Sequence, residues 1–371
     1  MAKTEKKKDN KKRLLLLIVL LVLTLILVTT STYAWFISNK TVSIDSLDVQ
    51  ARTANGLEIS ADALNWGVSI NKGNLIENAW DDHENQLPDI LDHVSSVGTI
   101  YTRTDGKNYV EMFDGNVEIS CVGATNDDGS CAGTETYTLT TTKSTEVNCY
   151  DSNGTQSVPD SKKCNGQTFV AFDIFLKVTN DANLYLGTNS GVKRNLTENT
   201  DYGIQNATRV AFLYRGHLAT ADYYTDNAED GVLAARDLNA GTTGDDAASV
   251  VIWEPNAGSH TATGVAAARQ FYNVTSLNST SANQAPVEYY GVNQAFDTAV
   301  NLTATNASSY TTLVTPGIIT NAEHGVTSTG IKLKAGVTKF RVYFWVEGQD
   351  VDTENNATGH NMSLNIELSI D

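Results

Sequence analysis

The chain has 371 residues, a formal charge of −17 at pH 7 and an apolar fraction of 41%. That apolar fraction is too high for a disordered chain, and the negative charge disfavours binding to nucleic acid or to anionic lipid. Charged residues make up only 19% of a sequence that is rich in Thr, Asn, Ser and Gly. This balance favours a folded, mainly β protein with polar loops.

The N-terminal segment has the pattern of a secretory leader. Seven basic residues precede an uncharged run from Leu14 to Val28, and Thr32-Tyr33-Ala34-Trp35-Phe36 follows. A basic region, a short apolar region and a small residue after it predict a signal peptide over 1–34, cleaved between Ala34 and Trp35. The leader holds seven basic and two acidic residues, so the 337 residues after it carry a charge near −22.

An uncleaved membrane anchor is the alternative interpretation of this segment. A spanning helix needs about 20 mainly apolar residues, and the run reaches that length only if it is extended through Thr29 and Trp35 to Ile37. The lysine-rich flank would then stay in the cytoplasm. Both interpretations predict a protein outside the cell or on its surface, with membrane contact only through the N-terminal segment and with a signal peptidase as a transient partner.

The first strand is predicted almost directly after the leader. Val42 and Ile44 alternate with polar residues, whereas Leu47 and Val49 alternate on the opposite parity. A change of parity within one strand indicates a β-bulge, which we expect near Asp45-Ser46.

Later segments alternate between apolar and polar residues in the same way. Strands are predicted over 169–179, 209–215, 249–253, 340–346 and 362–370. The last two are the clearest, because long alternation on a period of two places one face on a core. The sequence therefore predicts an all-β fold, a jelly-roll-like β-sandwich over 35–371 whose first and last strands share one core, preceded by the N-terminal signal or transmembrane helix.

Two insertions are predicted within this sandwich. The segment 121–168 is rich in Gly, Asn, Asp and Ser and carries all four cysteines, so we interpret it as a surface insertion. The segment 217–330 is mixed, and Ala-rich pieces such as Ala234-Ala235 favour short helices there.

The cysteines predict disulfides, because an exported chain meets an oxidising environment. Pairing of neighbours closes two short hydrophilic loops, and four cysteines allow two other connectivities. The predicted pairs are Cys121 with Cys131 and Cys149 with Cys164. A zinc site is the rival interpretation, but the chain has no Cys-x-x-Cys spacing.

Motifs that carry catalytic chemistry are missing from the sequence. There is no His-Glu-x-x-His pair and no Gly-x-Ser-x-Gly elbow, so we predict no enzymatic activity; an unrecognised secreted hydrolase is the third choice of function. No cofactor is predicted. Calcium is considered as well as zinc, because Asp350, Asp352 and Glu354 alternate in one segment, but the glycine and the distal Glu of an EF-hand are missing.

The leader resembles a known family. Thr32-Tyr33-Ala34-Trp35-Phe36, then Ser38-Asn39-Lys40 and Ser46-Leu47-Asp48-Val49, is similar to the SipW-dependent signal peptides of Gram-positive bacteria, found on TasA-like and camelysin-like secreted proteins. The resemblance covers the first 50 residues and a few islands. It implies a jelly-roll subunit of extracellular fibres or biofilm matrix, in which the freed N-terminal segment pairs with a neighbouring subunit as a donated strand.

The function predicted is therefore a secreted or surface-displayed structural protein that self-associates into fibres. Donation would use the strand-forming residues after the cleavage point, since a free strand can complete an exposed sheet edge. These residues are Trp35, Ile37, Val42, Ile44, Leu47 and Val49. Pairing of the same strand within its own sheet is the alternative. A cell-surface adhesin or carbohydrate-binding module is the other candidate function, with paired tyrosines in loops at Tyr223-Tyr224 and Tyr289-Tyr290.

Overall fold

The computed structural model describes fourteen ranges of the chain. They are residues 42–51, 56–80, 83–103, 105–122, 134–144, 168–194, 203–241, 243–244, 246–256, 289–300, 309–314, 331–350, 352–353 and 361–371. For 116–122, 134–139, 289–290 and 297–300 the description covers the backbone only. The leader, Ala34, Trp35 and Ile37 lie outside these ranges. Within them, no helix is long and apolar enough to cross a bilayer.

Strands dominate the described chain, as the all-β prediction requires. The strands are β1 (Val42–Ala51), β2 (Glu58–Ser60), β3 (Ser69–Asn71), β4 (Ile90–Leu91), β5 (His93–Ser95), β6 (Ile100–Thr102), β7 (Asn108–Val110), β8 (Met112–Val122), β9 (Thr134–Ser144), β10 (Val170–Val178), β11 (Ala182–Leu186), β12 (Gly191–Arg194), β13 (Thr208–Ala219), β14 (Val250–Trp253), β15 (Tyr289–Val292), β16 (Phe296–Val300), β17 (Thr311–Val314), β18 (Ile331–Leu333), β19 (Gly336–Glu347) and β20 (Asn361–Ile370). The helices are α1 (Lys72–Glu77), α2 (Thr220–Tyr223) and α3 (Ala228–Arg236), with a 3-10 turn at Ile204–Ala207.

Sheet I contains β1, β3, β4, β11, β12, β18 and β20. Its centre is β20, which pairs in parallel with β1 on one side and antiparallel with β11 and β12 on the other. The far side of β1 pairs antiparallel with β3 and β4. The register of β1 shifts between Ile44 and Ser46. This irregularity confirms the predicted bulge, and it lets Ile44 and Leu47 face the same core.

Sheet II contains β2, β5, β8, β9, β10, β13, β14, β16 and β19. Its centre is β19, which pairs antiparallel with β13 on one side and with β10 on the other. Beyond the end of β10, β5 pairs in parallel with the last residues of β19 and leads to β8, β9 and β16. Two small two-stranded sheets, β6 with β7 and β15 with β17, complete the described strands.

The two sheets pack face to face over one hydrophobic core. The predicted inward residues of β10 and β20 belong to it, together with the inward residues of β1, β13 and β19. These are Val42, Ile44, Leu47, Val49, Val170, Phe172, Ile174, Leu176, Val178, Val210, Phe212, Phe340, Val342, Phe344, Val346, Met362, Leu364, Ile366, Leu368 and Ile370. The prediction that the first and last strands share a core is confirmed. These strands, β1 and β20, are also hydrogen-bonded neighbours in sheet I.

Two details differ from the sequence interpretation, and a third agrees with it. The predicted insertion at 121–168 begins inside a long hairpin, because β8 and β9 pair along eleven residues each. Tyr289 and Tyr290, predicted in a loop, lie in β15. The Ala-rich helix predicted at Ala234-Ala235 is present as α3. The jelly-roll connectivity stays a prediction. Jelly rolls are built from antiparallel strands, whereas two of the described strand pairs are parallel.

Candidate functional site

The described residues predicted for strand donation lie together in β1, inside the molecule's own sheet. Val42, Ile44, Leu47 and Val49 are at most 5% exposed. They fill a slot between β20 on one side and β3 and β4 on the other. A strand supplied by a second copy would occupy the same slot in the same register. In the structure β1 therefore pairs within its own sheet, which is the alternative to donation, and donation to a second copy stays a prediction.

The cysteine predictions fall mostly outside the described residues. Cys131, Cys149 and Cys164 are not described, and for Cys121 the backbone lies in β8 opposite Glu135. The predicted disulfide pairs stay predictions.

The acidic residues considered for calcium have other partners. Asp350 accepts a hydrogen bond from Arg209 at 2.5 Å, and Asp352 accepts one from the Asn206 amide at 3.1 Å. Glu354 lies outside the described residues. Among the residues described, no group of three or more His, Cys, Asp or Glu side chains could hold a metal ion.

A buried charged layer lies on the outer face of sheet II, between two apolar clusters. Asp173 on β10 lies opposite Arg341 on β19, and their charged groups are 3.0 Å apart. Lys339 Nζ approaches the other oxygen of Asp173 at 3.2 Å. All three side chains are at most 5% exposed. Buried charges are stable only when they are paired, so this triad depends on its own geometry.

Glu84 extends this layer into the loops that cover the sheet. Its carboxylate is 2.7 Å from Arg103 and accepts a hydrogen bond from the Tyr109 hydroxyl at 2.5 Å. Arg341 also donates to the Glu84 carbonyl oxygen at 2.5 Å, which ties the covering loop to β19. The layer thus links residues that are far apart in the sequence.

The pKa values of these groups follow from burial and pairing. Burial disfavours the charged form of Glu84, but Arg341, the Tyr109 hydroxyl and Lys107 outweigh it and lower the pKa to about 2. The pKa of Asp173 is also lowered, because Lys339 and Arg341 outweigh its burial. Burial lowers the pKa of Lys339 to about 8 although Asp173 opposes that shift. Each carboxylate is thus held ionised between cations, an arrangement that stabilises the layer near neutral pH.

A second buried ionic cluster lies where β13 begins. Arg209 is 2.9 Å from Glu254 and 2.5 Å from Asp350, and all three side chains are at most 4% exposed. This cluster joins β13, the residue after β14, and the turn after β19. Asp350 was considered in the sequence only as a calcium ligand, since the alternation pattern gives no sign of the arginine that faces it.

A cleft of about 150 Å³ lies at the opposite end of β13, beside the predicted Tyr223-Tyr224 pair. Its wall is formed by β2, the ends of β10 and α2, and the start of β19. The lining residues that bear polar groups or aromatic rings are Glu58, Lys177, Thr179, Thr220, Tyr223 and Tyr224. Lys177 Nζ is 2.8 Å from Glu58 and 4.4 Å from the centre of the Trp66 ring.

Hydrogen bonds fix the aromatic residues beside this cleft. The Tyr223 hydroxyl donates to the Ala63 carbonyl oxygen at 2.6 Å and accepts from Trp66 Nε1 at 2.8 Å. Ala63 has a φ of 59°, a left-handed conformation that non-glycine residues seldom adopt. Asp62 holds this turn by accepting hydrogen bonds from the backbone of Leu64 at 3.0 Å and of Asn65 at 2.8 Å.

Two glycines make the cleft possible. A Cβ on Gly231 of α3 would lie 1.9 Å from the Tyr223 carbonyl oxygen, so only glycine lets α3 pack directly on α2. Gly336, with a φ of 130°, begins β19 in the wall of the cleft, and a Cβ there would lie 2.2 Å from the Leu218 carbonyl oxygen. Alternation gave no sign of the residues that meet Tyr223 and Tyr224, because Trp66 lies in an irregular loop.

Of the four tyrosines predicted for ligand binding, the structure brings one pair to the cleft. The rings of Tyr223 and Tyr224 meet edge to face, with centroids 4.9 Å apart. The other pair, Tyr289 and Tyr290, is described by its backbone in β15.

Comparison of the chain with protein-family models, with curated proteins and with solved structures finds no match.

Proposed function

We propose that the chain is exported and serves as a structural subunit of an extracellular fibre or matrix, with a jelly-roll-like domain that joins its neighbours by exchange of the N-terminal strand. The support for export is the leader pattern of residues 1–34. A signal peptidase is the proposed transient partner, and the surface charge disfavours nucleic acid as a partner.

The observation that carries the proposal is the position of β1. It is the first described strand after the predicted cleavage point, and it is inserted between β20 and the pair β3 and β4 rather than laid on an outer edge. Burying each Val, Leu or Ile side chain contributes about 1.5–3 kcal/mol. An empty slot would therefore be costly, and the slot must be filled either by the chain's own β1 or by that of a second copy.

Exchange keeps every contact of the slot while it links two molecules. Domain swapping has this property in general, because the same interface forms between copies instead of within one. The donor and its hinge are next to each other here, since β1 ends at Ala51 in sheet I and β2 begins at Glu58 in sheet II. Exchange requires only that β1 change its direction relative to β2, and six residues separate the two strands in the sequence.

Simple edge-to-edge growth is the less favoured route of assembly. The outermost described strands are short: β18 has three residues, β14 four and β16 five. Short edge strands offer few unpaired backbone groups to a neighbour. The slot of β1, in contrast, pairs eight residues with β20 alone.

The test is to lock β1 into its own sheet. Asp48 and Asn365 are register partners across the β1 and β20 pair, so Asp48→Cys with Asn365→Cys should form a disulfide within one molecule. The chain beginning at Trp35 is expected to form filaments in electron microscopy, and the locked chain is expected to stay monomeric until it is reduced. Asp48→Cys alone is the matched control.

Two results would contradict the proposal. One is a protein with an intact leader that is recovered only from membranes, which would remove the free N-terminal segment. The other is filament formation by the locked chain at the rate of the control, which would show that the subunits join without releasing β1.

A further inference from the structure

The cleft beside α2 combines an exposed aromatic ring with a fixed support. Tyr224 is 62% exposed, whereas Tyr223 next to it is only 7% exposed. The ring of Tyr224 therefore offers a face to solvent while its neighbour anchors it through the Ala63 and Trp66 hydrogen bonds. An aromatic ring held in this way can bind the apolar face of a ligand with little loss of entropy.

The polar groups of the cleft are paired and held in place. Lys177 lies in an ion pair with Glu58 and over the ring of Trp66. Burial opposes the charge of Lys177, but its hydrogen bonds with Glu58 and Tyr224 outweigh burial and raise its pKa. The site therefore offers a carboxylate acceptor and an ammonium donor whose charges cancel.

Charge and size narrow the class of ligand. The net charge of −17 repels anionic ligands, and the neutral Glu58 and Lys177 pair does not select a strong charge of either sign. The volume of about 150 Å³ is below the roughly 300–1,000 Å³ of pockets that enclose drug-sized ligands. The cleft is therefore of a size for one small ring, and its tyrosine ring and hydrogen-bonding groups suit a ring with an apolar face and hydroxyl groups around its edge.

We propose that this cleft binds a neutral saccharide. One sugar ring packs on Tyr224, and its hydroxyl groups hydrogen-bond with Glu58 and Lys177. Thr179 and Thr220, which line the same cleft, supply further hydroxyl groups. This assignment is independent of strand exchange, because none of these residues belongs to β1.

The test is a calorimetric titration of the chain beginning at Trp35 with three neutral oligosaccharides, cellohexaose, chitohexaose and mannohexaose, and with oligogalacturonate as the anionic comparison. At least one neutral probe is expected to bind with a Kd on the order of 1 mM or below. Tyr224→Ala should weaken that binding at least tenfold. Tyr224→Phe keeps the ring and should retain most of it.

Two further variants separate the site from general effects. Glu58→Gln removes the carboxylate charge at a position where the side chain is 46% exposed, and it should weaken binding several-fold without unfolding the protein. Leu233→Ala, on an exposed part of α3 outside the cleft, should bind like the unaltered chain. The proposal is overturned if no neutral probe binds, if only oligogalacturonate binds, or if Tyr224→Ala binds as well as Leu233→Ala.

Discussion

Both faces of β19 are buried, but different interactions stabilise the side chains on each face. On the inward face, Phe340, Val342 and Phe344 pack against sheet I in a purely apolar core. On the outward face, Lys339 and Arg341 are buried beneath loops and paired with acids. The inward face depends on close packing alone, whereas the outward face combines these matched charges with the buried apolar side chains of Val337, Tyr343 and Trp345. The two faces should therefore respond differently to pH and to substitution.

The largest effect is expected from removal of a buried acid. Asp173→Ala leaves Lys339 and Arg341 without the carboxylate that faces both of them, and breaking a buried pair costs about 3–5 kcal/mol. Chemical denaturation should therefore show a loss of that size in the free energy of unfolding. Asp226→Ala, at an exposed position, is the control and should change stability little. A loss below about 1 kcal/mol for Asp173→Ala would mean that the outward face does not depend on this pairing.

Acid should weaken the outward face in a defined pH range. The folded-state pKa of Glu84 is about 2, below its ordinary value of 4.5. Its stabilising contribution is therefore complete above about pH 5 and is lost as the pH falls towards 2, and it amounts to about 3 kcal/mol. Unfolding free energies of the unaltered chain and of Glu84→Gln should converge over this range. Parallel pH profiles would contradict the assignment.

The inward face should be sensitive to volume and insensitive to acid. Ile174 follows Asp173 in β10 but points into the apolar core. Ile174→Val removes one methylene group and should cost about 0.5–1.5 kcal/mol. The loss should be the same at neutral pH and at low pH, as long as the protein stays folded. A loss that grows on acidification would show that the two faces are coupled.

The smallest effect is expected for an ion pair at the surface. Lys334 and Asp246 are 2.9 Å apart, and both side chains are about half exposed. Water and salt screen such a pair, so Lys334→Ala should cost less than about 1 kcal/mol and less still in high salt. A loss as large as that of Asp173→Ala would remove the distinction between buried and exposed pairing.

Alternation in the sequence predicted the inward face well, because the apolar side chains of each strand must all lie on the side that packs in the core. The apolar residues of β1, β10 and β20 must lie on one side, and even the bulge in β1 follows from the parity change between Ile44 and Leu47. The outward face was not predictable in this way. Lys339 and Arg341 have the pattern of solvent-facing residues, and their burial depends on loops that come from elsewhere in the chain.

The cleft was predicted only in part for a similar reason. The paired tyrosines at 223 and 224 drew attention in the sequence, but their partners Trp66, Glu58 and Lys177 come from three separate segments. Contacts of this kind are set by how the sheets and helices meet. A single sequence has no periodic signal for them.

The parallel pairing of β1 with β20 has a consequence for how the domain is made. A nascent chain exposes β1 long before β20 has been synthesised, since the whole segment between Ala51 and Asn361 separates them. Contacts between such distant residues form slowly, because the intervening loop must close first. Until then an apolar strand lacks its permanent neighbour, so the immature molecule is more prone to aggregation than the finished domain.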